Sequence, residues 1–252
     1  MDNRFEDLFA EIESDPALFD DSVSTLQSRW RKDDIQNVLV RLKEQGLRPK
    51  RIMDVGARDG SWSWSASQVF PDAEFVLFEP LPDRFNEQSR EHYLKSLHQP
   101  SVIEAALGDC DCESEFKYTV DSAGKTLFNV PAEAPGWQNA SVQVRRLDGL
   151  ARNHGWTGST ILKIDVASAE HLVIAGGTDF INKHVDVILL ELTISRKHPA
   201  AKAYRDMLIL MDDLGFELVD EFEARRCVKT GQLLQKNTVF VKRACQEMRQ
   251  AA

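Results

Sequence analysis

The chain has 252 residues, of which 42% are hydrophobic and 28% are charged, and its formal net charge at pH 7 is -9. This length and apolar content predict one main α/β domain with modest additions, and they argue against a disordered chain. The acidic balance argues against a nucleic-acid binder, because such a protein needs a basic face.

The apolar runs of the chain are short. None approaches the roughly 20 residues that a membrane-spanning helix needs, so we expect no membrane insertion. The first residues, MDNRFEDLFAEIE, are acidic and amphipathic, which is unlike a secretory signal peptide. A cytoplasmic location is therefore the expectation.

Residues 1–48 are predicted to form a helical extension that serves as a lid or as a homodimer contact. The last of its helices has a stripe of apolar residues at helical spacing: Ile35, Val38, Leu39 and Leu42. Gly46 follows where a C-terminal cap belongs, and Pro49 lies just beyond it.

Residues 49–245 alternate between short apolar runs and amphipathic stretches. This pattern indicates βαβ units, and so a Rossmann-like, doubly wound and mostly parallel sheet with helices on both faces. The predicted strands are 52–55, 75–78, 102–106, 161–165 and 185–190, and the predicted helices are 61–69, 83–97, 169–181 and 200–214.

Two segments depart from this alternation. Extended pieces at 116–120 and 142–145 predict inserted strands or a flap at about 114–147. The segments 216–219 and 237–241 predict a closing hairpin that contains an antiparallel strand.

The first predicted strand runs into a glycine-bearing turn before a helix. Such a turn offers free N–H groups and the positive end of a helix dipole, and in a doubly wound sheet it lies in the cofactor crevice. Gly56 and Gly60 are spaced G-x-x-x-G, which differs from the G-x-G-x-x-G of dinucleotide-binding turns. Asp54 can accept hydrogen bonds from turn amides or from a ligand ammonium. Alone, the glycines fit a simple tight turn nearly as well.

Acidic residues follow the second and third predicted strands. Glu79 lies 23 residues after Gly56, at the tip of a strand that Pro80 ends. A carboxylate there can accept both hydroxyls of an adenosine ribose, although a solvated strand-end glutamate is the alternative. Leu107 and Asp109 follow the third strand, where they either flank an adenine ring or belong to an ordinary turn.

The fourth predicted strand carries two charges. Lys163 and Asp165 occupy alternate positions, so both point to one face of an otherwise apolar strand. A buried lysine needs a charged partner, which Asp165 or Glu191 at the end of the next strand can supply. This ion pair is either structural or part of a reaction site, and its position at the carboxyl edge of the sheet favours the reaction site.

In their order along the chain, these motifs resemble the FkbM-type S-adenosylmethionine-dependent methyltransferases over about residues 50–220. The segments that carry the resemblance are Asp54-Val55-Gly56-Ala57 with Gly60, Phe78-Glu79-Pro80-Leu81-Pro82, Ala106-Leu107-Gly108-Asp109, Leu147-Asp148, Leu162-Lys163-Ile164-Asp165-Val166, Ala169-Glu170 and Leu189-Leu190-Glu191-Leu192. The resemblance implies a seven-stranded methyltransferase sheet, S-adenosylmethionine as cofactor, and O-methylation of a hydroxyl on a sugar, glycan or natural product.

The resemblance also implies which residues contact the cofactor. The turn from Asp54 to Gly60 would hold the methionine part through Gly56, Ala57 and Arg58, Glu79 and Pro80 would hold the ribose, and Leu107 to Asp109 would lie on the adenine side. Arg58 stands where the family usually has Asn, and it can pair with the cofactor carboxylate. Ala167-Ser168 stands where the family has Glu-Gly, which changes the edge of the reaction pocket.

Methyl transfer to a hydroxyl needs a base within hydrogen-bond reach of the acceptor. Asp165 is the predicted base, and Lys163 and Glu191 are predicted to set its orientation and charge. His171 and His198 are second choices for this role.

Two other functions stay open on the sequence alone. A catalytically degenerate, methyltransferase-like binding protein is favoured by Ala167-Ser168. A nicotinamide-dependent oxidoreductase shares the βαβ start and Glu79, but the glycine spacing and the later motifs argue against it. No metal is expected, because Cys110 and Cys112 lack the partnering Cys or His of a zinc site.

Overall fold

The computed structural model of the chain describes residues 35–84, 87–119, 125–126, 137–166, 168–194 and 202–245. Most of the predicted N-terminal extension lies outside these residues, as do Ala167 and His198. Its role as a lid or dimer contact therefore stays a prediction. Within the described part of the chain, no helix is long and apolar enough to cross a membrane.

The described residues form seven α-helices, eleven strands and a 3₁₀ turn at Pro82–Arg84. The helices are α1 (Ile35–Glu44), α2 (Ser61–Ser67), α3 (Glu87–Lys95), α4 (Leu147–His154), α5 (Glu170–Gly176), α6 (Thr178–His184) and α7 (Tyr204–Asp213). The strands are β1 (Arg51–Val55), β2 (Glu74–Phe78), β3 (Ser101–Ile103), β4 (Ala106–Leu107), β5 (Cys112–Thr119), β6 (Lys125–Thr126), β7 (Trp137–Arg145), β8 (Thr160–Ile164), β9 (Val185–Thr193), β10 (Phe216–Arg226) and β11 (Leu233–Lys242).

The main sheet has seven strands in the order β10-β11-β9-β8-β1-β2-β3. Strand β1 pairs in parallel with both β2 and β8, and β11 runs antiparallel to β9 and β10. The predicted doubly wound, mostly parallel sheet with a closing hairpin is thus confirmed. The strand order reverses between β1 and β8, and ligands of such sheets bind outside the carboxyl ends of the strands at that point.

Several predicted elements have different bounds in the structure. The strand predicted at 102–106 divides into β3, in the main sheet, and β4, which pairs with β7 in a second sheet of order β4-β7-β5-β6. The helix predicted at 169–181 is interrupted at Gly177 and becomes α5 and α6. The closing hairpin is longer than predicted, because its strands run well beyond their apolar cores.

The two faces of the main sheet bury two separate apolar cores, as alternation along each strand requires. One face carries Ile52, Ile161, Val187 and Leu189 against α1 and α2, and the other carries Met53, Leu162, Ile188 and Leu190 against α5, α6 and α7. The predicted apolar stripe of α1 is buried at Val38, Leu39 and Leu42. Asp54 and Lys163 lie two residues beyond Ile52 and Ile161, so they belong to the α1–α2 face.

The end of α5 packs directly against backbone. A Cβ added at Gly176 would lie 1.8 Å from the carbonyl oxygen of Gly108, in the turn that follows β4. Only glycine permits this approach, which joins the second sheet to the α5–α7 side of the main sheet.

Gly176→Ala should destabilise the fold by at least about 2 kcal/mol, because backbone must move to admit the methyl group. Gly149→Ala is the matched control, since Gly149 also lies in a helix and the nearest atom to its added Cβ is 3.9 Å away. That control should be neutral or stabilising by up to about 1 kcal/mol. Urea unfolding of both variants measures the difference, and a stabilised Gly176→Ala would contradict the packing described.

Candidate functional site

A cavity of ≈ 160 Å³ lies at the carboxyl edge of the main sheet, on the α1–α2 face. Its lining comes from the turn after β1, the start of α2, the ends of β8 and β9, and the hairpin β10–β11. The lining residues are Gly56, Ala57, Arg58, Ser61, Trp62, Lys163, Asp165, Leu189, Leu190, Glu191, Phe222, Glu223 and Asn237. The predicted reaction residues and most of the predicted turn therefore share one pocket.

Lys163 is buried in this site and is paired with two carboxylates. Strand register sets Asp54 on β1 directly opposite Lys163 on β8. The Lys163 ammonium lies 2.9 Å from Asp54 Oδ1 and 3.5 Å from Asp165 Oδ2, and it donates to the carbonyl of Gly56 at 3.3 Å. A buried cation with three oxygen neighbours is well satisfied, whereas one without partners would be costly.

Asp54 is fully buried, and it contacts protein groups beneath the cavity. Its Oδ2 accepts a hydrogen bond of 2.8 Å from Ser63 on α2, and its Oδ1 faces Lys163. Asp54 does not line the cavity. Its observed contacts are therefore with the protein, and the predicted contact with a ligand ammonium stays a prediction.

Asp165 and Glu191 form a hydrogen-bonded carboxyl pair beside Lys163. Burial, followed by the charge of Asp165, raises the pKa of Glu191 to about 8, and the opposing effect of Lys163 is smaller. Burial alone would raise the pKa of Asp165, but Lys163 and the hydrogen bond from Glu191 hold it below its ordinary value. At neutral pH the pair therefore holds one proton on Glu191 and leaves Asp165 ionised.

Charges around Lys163 keep it protonated. Burial alone would lower the pKa of its ammonium, but Asp54 and Asp165 together raise the pKa above its ordinary value. The ring of Trp62 lies 5.7 Å from the same nitrogen and adds a cation–π contact. Lys163 is thus a permanent positive charge at the wall of the cavity.

The turn after β1 has left-handed backbone at Gly56, Arg58 and Gly60, with φ of 78°, 55° and 87°. A Cβ at Gly56 would lie 2.1 Å from the carbonyl oxygen of Asp165, so only glycine lets this turn approach the loop after β8. Arg58 adopts a conformation that Asn and Gly take more readily. The close approach fixes Arg58 and Asp165 in one pocket.

Glu79 holds the same turn from the other side. Its carboxylate accepts hydrogen bonds of 3.1 Å from the backbone N–H of Arg58 and from that of Leu81, and the residue is 2% exposed. Glu79 is buried at the strand tip, unlike the solvated glutamate that was the alternative.

The predicted adenosine side lies apart from the cavity. Glu79 and Pro80 follow β2, Leu107 ends β4 and Asp109 comes two residues later, but none of the four lines the cavity. Leu107 is buried in the apolar core and Asp109 is exposed. The structure thus joins the turn to the reaction residues, and it leaves the contacts predicted for these four residues as predictions.

The loop after β8 contains a serine in the left-handed backbone conformation that glycine usually adopts. Ser168 has φ of 81°, in the left-handed region, at the position where the FkbM pattern has Gly. Glu170 accepts hydrogen bonds from the N–H of Ser168 at 3.0 Å and from that of Val166 at 3.4 Å. Burial raises the pKa of Glu170 to about 7. Glu170 therefore clamps the loop that carries Asp165.

Several residues of the site were not assigned a role from the sequence. Trp62, Phe222, Glu223 and Asn237 reach the cavity through packing and strand pairing, which no local motif reveals. Asp148, part of the ordered motifs, is a structural residue, since it accepts hydrogen bonds from the N–H groups of Asp179 and Phe180 in the first turn of α6.

Neither His171 nor His198 gains support as the general base. His171 lies outside the lining of the cavity, and burial followed by the charge of Lys202 lowers its pKa. His198 lies outside the described residues. Within the described ranges, no group of three or more His, Cys, Asp or Glu side chains is arranged to hold a metal ion.

The chain belongs to the FkbM methyltransferase family, because the Methyltransferase FkbM domain matches residues 54–218. It is 28% identical over 200 residues to 2-O-methyltransferase NoeI of Sinorhizobium fredii (strain NBRC 101917 / NGR234), a match that covers 74% of this chain and 79% of the relative. Since the family is dependent on S-adenosylmethionine, this compound is the methyl donor of the protein.

Two solved structures illustrate the likeness of fold. Methyltransferase FkbM from Methylobacillus flagellatus KT has a TM-score of 0.46 and 15% identity, over 76% of this chain and 44% of that one, so this chain spans less than half of it. Fibrillarin from Aeropyrum pernix has a TM-score of 0.43 and 14% identity, over 84% of this chain and 76% of that one.

Ser168→Gly should stabilise the protein by about 1 kcal/mol, because glycine adopts the left-handed backbone without the cost that a Cβ imposes. The hydrogen bond to Glu170 uses the backbone N–H of residue 168 and is retained. Ser65→Gly in α2 is the control and should destabilise by roughly 0.5 kcal/mol. A loss of stability in Ser168→Gly, measured by urea unfolding, would show that the loop is not held as described.

Glu170 should make stability fall with rising pH. The folded protein keeps a proton on Glu170 up to about pH 7, whereas an ordinary glutamate releases it near 4.5. The folded state therefore binds more protons between these values, and its free energy of unfolding decreases by on the order of 3 kcal/mol over that window. Glu170→Gln should flatten this part of the profile, and Glu104→Gln, at an exposed position, should not. An unchanged profile in Glu170→Gln would contradict the assignment.

Proposed function

We propose that the protein transfers the methyl group of S-adenosylmethionine to a hydroxyl of a sugar, glycan or other natural product, with Asp165 as general base. One observation carries this proposal: Asp165 lines the cavity with its side chain 34% exposed, and its Oδ2 lies 3.5 Å from the Lys163 ammonium, which holds its pKa below the ordinary value despite burial. The printed name of the relative from Sinorhizobium fredii, a 2-O-methyltransferase, supports transfer to oxygen.

Residues of the glycine turn fit the methionine part of the cofactor. Gly56 and Ala57 bring backbone close to the cavity, and the Arg58 guanidinium can pair with the carboxylate of the cofactor. Glu79 and Pro80 are proposed for the ribose, and Leu107 and Asp109 for the adenine. Asp54 contributes indirectly, because its carboxylate holds the Lys163 ammonium in place. When bound, the cofactor would supply an electrophilic methyl group carried on a sulfonium, with the neutral thioether as the leaving group.

Three side chains prepare the acceptor hydroxyl in this proposal. Asp165 accepts the hydroxyl proton, and Lys163 keeps Asp165 ionised in a partly buried position. Glu191 donates a hydrogen bond to Asp165 and so fixes the carboxylate plane. The hydroxyl oxygen gains nucleophilic character only where this base can reach it, so alignment of the acceptor decides the rate.

The binding-protein alternative finds less support than the enzyme. Ser168 keeps the left-handed backbone of the glycine it replaces, and Lys163, Asp165 and Glu191 stand together beside the cavity. The backbone at Ser168 and the grouping of these three side chains support a retained reaction site. The oxidoreductase alternative is set aside by the family match.

Asp165→Asn should lower kcat by about 10²–10⁴-fold, because the amide cannot accept the hydroxyl proton. The assay follows the methyl label of S-adenosylmethionine into a panel of neutral methyl glycosides and polyhydroxylated natural products. Thermal stabilisation by S-adenosylhomocysteine should be retained in the variant, since the turn is untouched.

Asp212→Asn, at an exposed position of α7, is the control and should keep full activity. Wild-type rates in Asp165→Asn would remove Asp165 as the base. Transfer by the wild-type protein to nitrogen acceptors alone would contradict the hydroxyl assignment.

A further inference from the structure

The hairpin β10–β11 forms one wall of the cavity, and most of it lies outside the family match. The FkbM domain match ends at residue 218, whereas Phe222, Glu223 and Asn237 line the cavity beside Asp165 and Glu191. Strand pairing brings them there, because Asn237 pairs with Glu191 on β9 and with Phe222 on β10. This wall is a property of the chain beyond the matched domain.

A β-bulge aims Glu223 at the cavity. Between the pairs Phe222–Asn237 and Arg225–Gln235, β10 has two residues where β11 has one. In a regular strand Glu223 would point away from the face of Phe222, yet both residues line the cavity. Glu223 has φ of 50°, a left-handed conformation that a glutamate adopts only at a cost. Bulges of this kind re-aim side chains next to active sites.

The part of β10 that leads into the bulge is held in place by side-chain contacts. Glu221 accepts hydrogen bonds from the Tyr204 hydroxyl and the Lys236 ammonium, and Asp220 pairs with Arg41 of α1. These contacts fix the residues that precede Phe222. The wall is therefore preorganised, as a binding subsite requires.

The polar groups of this wall suit hydroxyls. Asn237 Nδ2 donates to Glu223 Oε2 at 2.8 Å, which leaves the second N–H and the carbonyl of the amide to form hydrogen bonds. A hydroxyl both donates and accepts, so two adjacent hydroxyls can bind to this pair. Arg58 and Lys163 balance Asp165 and Glu223 in charge, and Glu191 is protonated. The lining thus favours a neutral molecule.

We propose that Glu223 and Asn237 form the acceptor subsite, which binds a neutral polyol through a hydroxyl next to the one that faces Asp165. This inference rests on the proposed function, since it uses Asp165 to define the reacting position. It names two specificity-determining residues and a substrate class, a neutral vicinal diol such as a glycoside.

The test measures binding separately from turnover. Saturation-transfer NMR with S-adenosylhomocysteine present would measure binding of three sets of ligands. These are the methyl glycosides of glucose, galactose, mannose and xylose, their monodeoxy analogues, and the charged glycosides of glucuronic acid and glucosamine. We expect at least one neutral glycoside to bind, and removal of one adjacent hydroxyl to weaken it about tenfold or more. Glu223→Gln and Asn237→Ala should weaken binding of the intact glycoside by a similar factor. The same substitutions should change binding of the deoxy analogue little. Glu217→Gln, an exposed carboxyl on the same strand, should change nothing.

Glu223→Gly separates binding from structure. It should raise Tm by about 2–4 °C, because glycine accepts the left-handed backbone, while glycoside binding is lost. A purely structural glutamate would give the rise in Tm with binding intact, and that result would overturn the proposal. Binding of no neutral glycoside, or preference for a charged one, would overturn it as well.

Turnover distinguishes this inference from the proposed function. Methyl transfer to a glycoside with equal rates in wild type, Glu223→Gln and Asn237→Ala would support the function and overturn the subsite. Glycoside binding that depends on both residues, without methyl transfer, would support the subsite and contradict the function.

Discussion

The site depends on one buried ammonium group. Lys163 stands opposite Asp54 across β1 and β8, and it reaches Asp165 at the end of its own strand. Without it, Asp54 would be a buried charge without compensation, and Asp165 would share the tendency of its neighbour Glu191 to remain protonated. The same cation thus secures the centre of the sheet and sets the charge of the group that faces the cavity.

Backbone approach is the second constraint, and it links the parts of the site mechanically. Gly56 contacts the loop after β8 closely enough to exclude any Cβ, Glu79 holds the same turn from β2, and Glu170 clamps the loop at Ser168. The turn, the strand tip and the loop are therefore linked by direct contacts. Such an arrangement suits a reaction in which alignment of the acceptor, more than any group of high reactivity, controls the rate.

Much of this fold was predictable because the signals are local. Apolar runs mark the strands, and the alternate charges of Lys163 and Asp165 identify one face of β8 before any pairing is known. The pairing of Lys163 with Asp54 depends on the register of strands distant in sequence, and the hairpin wall depends on a bulge that moves Glu223 across the strand. The split of the predicted strand at 102–106 between two sheets, like the break at Gly177, reflects tertiary packing that overrides local pattern.

The central claim is that Lys163 leaves Asp165 ionised beside a protonated Glu191, and carboxyl ¹³C NMR tests it without any acceptor. Protein labelled at Asp and Glu carboxyls would be titrated from pH 4 to 9, with Asp165→Asn and Glu191→Gln used to assign the two signals. We expect Glu191 to lose its proton near pH 8 and Asp165 to be ionised throughout the neutral range. A Glu191 midpoint at its ordinary value of 4.5, or a proton that stays on Asp165 at pH 7, would contradict it.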